Sequence, residues 1–250
     1  MRRPLAGGLF LLALLTGCSA GDDDTAAPAT TTTTVTTTAP SSAATTAADP
    51  GCPATPSGQP TGVPETADSA ATLDVDGDGR PDTLWIDDET AVGGGVPFGV
   101  STASGGDFYE NFASASPVTR AVLVADVTGS GELVALASDG RAVQLWAISD
   151  CSLVPVQNAQ GQQYTFDLGF TGFGTGVGCA DVDGDGTRDL LGLLADSTSI
   201  TSTVVDLDGA RATNGTSSTI ADATPQQLDA AHQVTCGDLT IAADGVTLTP

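Results

Sequence analysis

The chain has 250 residues, of which 31 are acidic and seven are basic, so its formal net charge is −24 at pH 7. This charge argues against a nucleic-acid partner, because the phosphates would be repelled. Every basic residue is Arg, and a chain without Lys offers neither a Schiff base nor a Ser-Lys pair for catalysis.

The N terminus has the pattern of an export signal. Arg2 and Arg3 precede an apolar run at residues 9–15, as in a signal peptide. Leu15-Thr16-Gly17-Cys18 resembles a bacterial lipobox, which implies that residues 1–17 are cleaved and that Cys18 carries a lipid. Such a lipid would hold the protein on the outer face of the cell membrane. The alternatives are an ordinary signal peptide with a chance Cys, or a short membrane helix, which the length disfavours.

Residues 18–51 are dominated by Thr, Ala, Pro, Ser and Asp, with five consecutive Thr residues at 30–34. This composition has no core-forming pattern and predicts a disordered tether. We expect one folded domain at residues 52–250.

The pattern D-x-D-G-D-G-x-x-D occurs twice, at residues 74–82 and 181–189. Its carboxylates and tight glycine turn suit a hard cation that takes six to eight oxygens, and calcium is the natural occupant. Two carboxylates about 5 Å apart repel by roughly 3 kcal/mol at an effective dielectric of about 20, so the cluster needs a counter-ion. The alternative is a pair of solvated acidic turns without metal.

An EF-hand opens with similar spacing, but it places a Glu at position twelve between two helices. Here that position holds Trp85 and Gly192. Apolar runs of strand length, residues 83–86 and 190–194, follow the loops. The loops are therefore predicted to join strands.

A shorter copy of the loop starts at Asp126, where Thr128 and Ser130 replace carboxylates, and Cys236-Gly237-Asp238-Leu239 echoes Cys179-Ala180-Asp181-Val182. The four starts, at Asp74, Asp126, Asp181 and Asp238, follow one another at intervals of 52, 55 and 57 residues. A period near this length fits a four-stranded propeller blade. Further strands are predicted at residues 122–125, 133–136, 142–147 and 201–205. Because no segment shows a sustained helical period, we predict an all-β domain.

These loops resemble the calcium loops of FG-GAP repeats, also called VCBS repeats, which build the β-propeller of integrin α-chain heads. The resemblance covers about residues 70–246. It implies a small β-propeller-like array of about four repeats, of which the last is incomplete because the sequence stops at Pro250. An open or three-repeat array is the alternative.

The same resemblance implies two calcium sites and their ligands. The first site would use the side chains of Asp74, Asp76, Asp78 and Asp82 and the carbonyl of Arg80. The second would use the side chains of Asp181, Asp183, Asp185 and Asp189 and the carbonyl of Thr187. The Asp126 loop is expected to be empty or very weak.

With Cys18 lipidated, four cysteines remain, and an even number in an exported chain indicates two disulfides with three possible pairings. Because Cys52 and Cys236 flank the domain, we expect them to pair, which leaves Cys151 with Cys179. A zinc site is the rival, but the chain has no C-x-x-C spacing and His232 is its only His.

A catalytic centre is hard to assemble from this sequence. His232 alone would have to serve any triad, and it is expected to be a surface or strand-edge residue. Acidic pairs could be drawn from Glu89, Glu110 and Glu132, but any acidic protein offers such pairs. We therefore expect a surface-anchored binding module for an unknown protein or glycan ligand. The alternatives are a hydrolase of glycans or other envelope polymers, which would use an acidic pair, and a structural accessory of an envelope complex.

Binding is expected on loops, and the candidates are residues 93–112, 157–173 and 210–225. The first two are rich in Gly and aromatic residues. Each of these aromatics, taken singly, is predicted to belong to the core, and Trp85 and Trp146 are predicted to be packing residues.

Overall fold

The structure is a computed structural model that describes residues 51–55, 61–87, 95–114 and 117–248. The chain divides into units at residues 1–46 and 47–250, and all described residues belong to the second. The predicted signal peptide, Cys18, nearly all of the tether and Glu89 lie outside the described residues.

The described residues confirm the all-β prediction. They form antiparallel sheets and two short helices. Three of the sheets contain four consecutive strands paired in chain order, and none of the sheets closes on itself. Neither helix of this part of the chain is long and apolar enough to cross a membrane.

The first sheet has the order β1 (Asp68–Ala71), β2 (Thr83–Ile86), β3 (Gly95–Ser101) and β4 (Asp107–Ala113). The loop at residues 74–82 joins β1 to β2, as the strand prediction for residues 83–86 requires. Gly99 of β3 packs closely against the backbone of β4 and the ring of Trp85. A Cβ there would stand 2.6 Å from the Phe108 carbonyl oxygen and 2.6 Å from the Trp85 ring.

The second sheet contains β5 (Arg120–Asp126), β6 (Leu133–Ser138), β7 (Ala142–Ser149) and β8 (Ser152–Pro155) in consecutive order. The outer edge of β7 is shared, because β9 (Thr165–Asp167) pairs with its first half and β8 with its second. From the C-terminal part of the chain, β16 (Val246–Leu248) pairs with the other edge of the sheet at β5. The Asp126 loop joins β5 to β6.

The third sheet contains β10 (Gly176–Ala180), β11 (Asp189–Ala195), β12 (Ile200–Asp208) and β13 (Arg211–Ile220). The loop at residues 181–189 joins β10 to β11. Each of the three loops therefore occupies the first hairpin of a four-stranded meander.

The chain after the third sheet contains only short helices and strands. A helix, α1 (Pro225–Ala230), is capped by Thr224, whose side chain accepts a hydrogen bond from the Gln227 backbone while the Gln227 side chain accepts one from the Thr224 backbone. This reciprocal pair satisfies two helix-start donors. The hairpin β14 (Thr235–Cys236) and β15 (Leu239–Thr240) follows, with Asp238 in its turn, and then α2 (Ile241–Asp244).

The second sheet has apolar contacts on both faces. Val122 and Val124 of β5 belong to the buried cluster shared with the first sheet. Leu123 and Ala125 alternate with them and belong to the cluster shared with the third sheet. Side chains alternate between faces along a strand, so a strand that is covered on both sides reads as a continuous apolar run. The second sheet, called the middle sheet from here on, therefore contributes to both cores.

All four described cysteines form disulfides, but the predicted pairing is wrong. Cys52 bonds Cys151 in the β7–β8 turn, and Cys179 of β10 bonds Cys236 of β14. The physical reason is the course of β14 beside β10, where the Val177 backbone N–H donates to the Gln233 carbonyl at 2.9 Å. This places Cys236 against the third sheet instead of against the start of the domain.

Candidate functional sites

The first acidic loop is shaped by one carboxylate. Asp74 accepts backbone hydrogen bonds from Gly77 at 2.8 Å and from Gly79 at 2.8 Å. Both glycines have left-handed φ angles, 75° and 84°, which favour glycine. In the resulting turn, carboxylate oxygens of Asp74, Asp76 and Asp78 lie within 4.8 Å of one another. This group of three could hold a metal ion.

Asp82, the fourth predicted ligand, is not in that group. Its Oδ2 accepts from the Val75 backbone at 2.7 Å, and its Oδ1 accepts from the Ala103 backbone at 2.8 Å. Burial raises the pKa of Asp82, the two backbone hydrogen bonds oppose the rise, and the charges of Asp76 and Asp74 add to it. In this arrangement Asp82 ties the loop to the β3–β4 turn.

Asp76 connects the loop to its surroundings, whereas Asp78 forms an ion pair within the loop. Asp76 Oδ2 accepts from the Cys52 backbone at 2.8 Å and from Ser104 Oγ at 2.6 Å. Burial alone would raise the pKa of Asp76, but hydrogen bonds from Ser104, Cys52 and the Asp78 backbone lower it overall. Asp78 forms an ion pair with Arg80, whose Nη2 lies 2.6 Å from its Oδ2. The first group is therefore held by contacts from outside the loop.

The second acidic loop repeats the turn with a different trio. Asp181 accepts from the Gly184 backbone at 2.6 Å and from the Gly186 backbone at 3.0 Å. Here the oxygens within 4.8 Å of one another belong to Asp181, Asp183 and Asp189. Asp185 lies outside the group and accepts from the Thr187 backbone at 2.7 Å. The backbone carbonyls of Arg80 and Thr187 remain predicted ligands of the first and the second calcium site.

Arg188 has a role that the sequence analysis missed. Its Nη2 donates to the Asp126 carbonyl at 2.7 Å, and its backbone N–H donates to the Thr128 carbonyl at 3.0 Å. The guanidinium also lies against Gly129 and Gly237. One cation thus joins the Asp126 loop, the second acidic loop and the β14–β15 turn. No sequence motif marks it, because its partners are main-chain groups far along the chain.

A cleft of about 600 Å³ lies between the second and third sheets. One wall comes from β9 and the loop after it, and the other comes from β11, β12 and β13. The residues that matter for its chemistry are Arg141, Tyr164, Phe166, Phe170, Phe173 and Asn214. Its volume lies within the range of about 300–1,000 Å³ that is usual for small-molecule sites.

The aromatic wall of the cleft is held by Asp167. Its carboxylate accepts from the backbone N–H groups of Phe170 at 3.0 Å, Thr171 at 3.0 Å and Phe173 at 2.9 Å. Burial opposes ionisation of Asp167, but hydrogen bonds from Thr171, Phe173 and Gly174 lower its pKa to about 2. The side chains of Phe170 and Phe173 remain 66% and 87% exposed. The Arg141 guanidinium lies 4.7 Å from the centre of the Phe170 ring.

The lining from β11, β12 and β13 mixes apolar residues with the polar side chains of Thr201, Thr203 and Asn214. The Tyr164 hydroxyl donates to Asn214 Oδ1 at 2.6 Å, and burial raises the pKa of Tyr164 to about 12. Thr201 and Thr203 of β12 pair with hydroxyls of β13 at 3.1 and 2.9 Å. The cleft therefore combines two exposed rings with hydroxyl and amide groups.

The residues considered for catalysis do not form a site with one another. Glu110 lies in β4 of the first sheet, and Glu132 lies in the loop before β6 of the second. Burial raises the pKa of Glu132, and the charge of Asp126 adds to the rise. His232 is exposed after α1, as predicted.

The predicted roles of the aromatic residues hold only in part. Trp85 and Trp146 are buried, as predicted, and so are four of the Phe residues: Phe98, Phe108, Phe112 and Phe166. Tyr109, Phe170 and Phe173 are exposed instead. The signal that could have found the last two is Gly169-Phe170-Thr171-Gly172-Phe173-Gly174, a glycine-rich stretch without strand or helix period.

Comparison of the chain with family models, curated proteins and solved structures found no match. The resemblance to FG-GAP repeats therefore depends on the loop residues alone. The two acidic groups and the cleft are the features of the described residues that point to a function.

Proposed function

We propose that the domain is a non-enzymatic binding module displayed outside the cell, with a calcium-stabilised β-fold and its ligand in the cleft between the second and third sheets. The observation that carries this proposal is the pair of exposed rings, Phe170 and Phe173, on the wall of a formed cleft. Adjacent large apolar side chains that stay exposed on a folded domain are typical of interaction sites.

The cost of exposing these rings supports a binding role. Fully burying a Phe side chain stabilises a protein by about 1.5–3 kcal/mol, so two exposed rings forgo several kcal/mol. The backbone around them is ordered by Asp167, which receives its hydrogen bonds from this loop. A ligand that covered both rings would recover the burial energy without having to order the loop.

Calcium is proposed for the two acidic groups because their donors are all oxygens and each group concentrates three negative charges. At an ion concentration ten times the dissociation constant, each site would stabilise the fold by roughly 1.4 kcal/mol. The positions of the loops, each in the first hairpin of a four-stranded meander, support a propeller-like array of FG-GAP type. The ions would then stabilise the fold, and the cleft would bind the ligand.

The proposed location follows from the N terminus and from the cysteines. A lipid on Cys18 and a polar tether would hold the domain away from the membrane surface. The two disulfides support an oxidising compartment, where such bonds persist.

The test uses the mature chain from residue 18 with Cys18→Ser, so that no lipid is attached. Fluorescently labelled protein is applied to a glycan array and to a peptide array, beside the double variant Phe170→Ser with Phe173→Ser. Tyr109→Ser is the matched control, because Tyr109 is also an exposed aromatic but is not among the cleft residues. Binding that the double variant loses and the control retains supports the proposal. No binding on either array by correctly folded protein would refute it.

A further inference from the structure

We propose that the ligand of the cleft is an uncharged oligosaccharide, which stacks on Phe173 and Phe170 and forms hydrogen bonds with Asn214 and the hydroxyls of β12. This inference rests on the proposed binding function and adds the chemical class of the ligand. Three properties of the cleft support it: the rings, the hydrogen-bonding groups and the charge.

The rings suit the C–H face of a sugar. An aromatic ring carries negative charge density on its face, so it attracts groups with positive edges, and the C–H bonds of a pyranose face are such groups. Phe170 already shows this preference, since the Arg141 guanidinium lies 4.7 Å from its centroid. Phe173, which is 87% exposed, offers the larger free surface. Both rings are apolar throughout and match a face that carries no hydroxyl donors.

The polar side chains of the cleft suit sugar hydroxyls, each of which both donates and accepts. Asn214 uses its oxygen to accept from Tyr164 at 2.6 Å, so its NH₂ group is left to donate. Thr203 Oγ1 and Ser217 Oγ lie 2.9 Å apart. In a pair of hydroxyls one hydrogen makes the shared bond and the second hydrogen stays free, together with acceptor lone pairs. The cleft therefore offers donors and acceptors side by side.

The charge of the protein disfavours anionic ligands, and the cleft offers little to attract cationic ones. The whole chain carries −24, which repels phosphates, sulfates and acidic sugars. The lining carboxylates are already engaged, because Asp139 accepts from the backbones of Arg141 and Ala142 at 3.0 Å each and Asp167 accepts from the loop. Arg141 would also repel a cation from the Phe170 end. A neutral polyhydroxylated ligand is the class that remains.

A proline-rich peptide is the other ligand that flat aromatic surfaces bind, and the chain's own Thr- and Pro-rich tether is one example. Grooves of that type combine rings with donors for the peptide carbonyls, as Trp and Tyr provide. The exposed rings of this cleft are Phe, which has no donor. Peptide carbonyls only accept hydrogen bonds, whereas the polar groups of the cleft offer acceptors beside their donors. The saccharide is therefore the better match, and the peptide becomes an outcome of the test.

The experiment measures binding of neutral trisaccharides by calorimetry and by ligand-observed NMR, with the mature chain that carries Cys18→Ser. The probes are cellotriose, maltotriose, mannotriose and chitotriose, and a synthetic peptide of residues 19–51 is the competing probe. We expect at least one trisaccharide to bind, Phe173→Ser to weaken it at least tenfold, and Phe173→Trp to retain it, because Trp keeps an aromatic face. Tyr164→Phe removes the hydroxyl that orients the Asn214 amide, so it should weaken binding several-fold. Tyr109→Ser should leave binding unchanged.

The possible failures are distinguishable. Binding of the peptide but of no trisaccharide, with loss in Phe173→Ser, would overturn the saccharide class and leave the binding module standing. Trisaccharide binding that Phe173→Ser does not alter would overturn the assignment to this cleft. A folded protein that binds neither kind of probe would overturn the ligand class and argue against the binding function itself.

Discussion

The two acidic loops should respond differently to the loss of one carboxylate. Asp76 accepts from Cys52 and Ser104, both outside its loop. Asp183 accepts from the Asp185 backbone within its own loop, at 3.1 Å, and is exposed. Asp76→Ala should therefore destabilise the domain with or without calcium, whereas Asp183→Ala should do so only when calcium is present.

The magnitudes follow from these contacts. A hydrogen bond to a charged group contributes about 1.5–3 kcal/mol. The Cys52 N–H keeps a second acceptor, Ser104 Oγ at 3.0 Å, so we expect Asp76→Ala to cost about 2 kcal/mol in chelator. Asp183→Ala should cost less than about 0.5 kcal/mol there, as is usual for an exposed site. With calcium at about ten times its dissociation constant, each variant should lose roughly a further 1.4 kcal/mol.

Differential scanning calorimetry of the mature chain, with disulfides intact, measures both effects. For a domain of this size, 1 kcal/mol shifts the melting temperature by about 2–4 °C. Asp76→Ala should melt about 4–8 °C lower in chelator, while Asp183→Ala should match the wild type there and melt about 3–6 °C lower in calcium. If Asp183→Ala were equally destabilised in both buffers, the second loop would not be a calcium site. If Asp76→Ala melted normally in chelator, the external hydrogen bonds would carry no stability.

Three further predictions concern the rest of the domain. The Asp167 carboxyl should titrate with a pKa of about 2, measured by carbon-13 NMR; because this lies below the value of about 3.9 in an unfolded chain, its stabilising effect is complete above about pH 4 and is lost as the pH falls towards 2. Replacing Cys179 and Cys236 together by Ala should cost about 4 kcal/mol in denaturant unfolding, because their bond closes a loop with a sequence separation of 57. Gly99→Ala should cost about 2 kcal/mol in the same assay, because its Cβ would stand 2.6 Å from the Trp85 ring.

Each of these predictions has a result that would contradict it. An Asp167 titration near pH 4 would mean that the loop hydrogen bonds do not favour the carboxylate. A peptide linking Cys52 to Cys236 in a non-reducing digest would restore the end-to-end pairing. Gly178→Ala is the control for Gly99, because its Cβ would meet only the end of the Leu193 side chain, at 3.3 Å. Equal stability of the two Ala variants would refute the close-packing argument.

The strands were predictable because their signal is local. The runs at residues 122–125, 133–136 and 142–147 lie within β5, β6 and β7. They are apolar at nearly every position because the middle sheet is covered on both faces. The turns of the acidic loops were equally predictable from the sequence. Their first Asp accepts from glycine N–H groups three and five residues later, so the turn forms without distant partners.

Distant partners explain what the sequence could not show. Asp82 and Asp189 occupy the same position of the pattern, and each accepts a local backbone bond, from Val75 and from Val182. Asp82 also accepts from the distant Ala103 backbone and lies outside its trio, whereas Asp189 belongs to its own. The prediction of the disulfide pairing was wrong for the same reason, because nothing near Cys236 in the sequence shows that β14 lies beside β10. The exposure of Phe173 depends on hydrogen bonds to Asp167, six residues away, in a stretch with no period.

The segment after the third sheet forms only short strands. The two-residue strands β14 and β15 lie on either side of Asp238, where the sequence predicted the start of a fourth repeat. The chain then leaves that hairpin through α2 and adds β16 to the edge of β5, where it also lies against β1 and β2. An uncovered edge strand invites pairing with other chains, and covering it with a terminal strand removes that hazard. β16 thus protects the edge of the middle sheet, which both cores share.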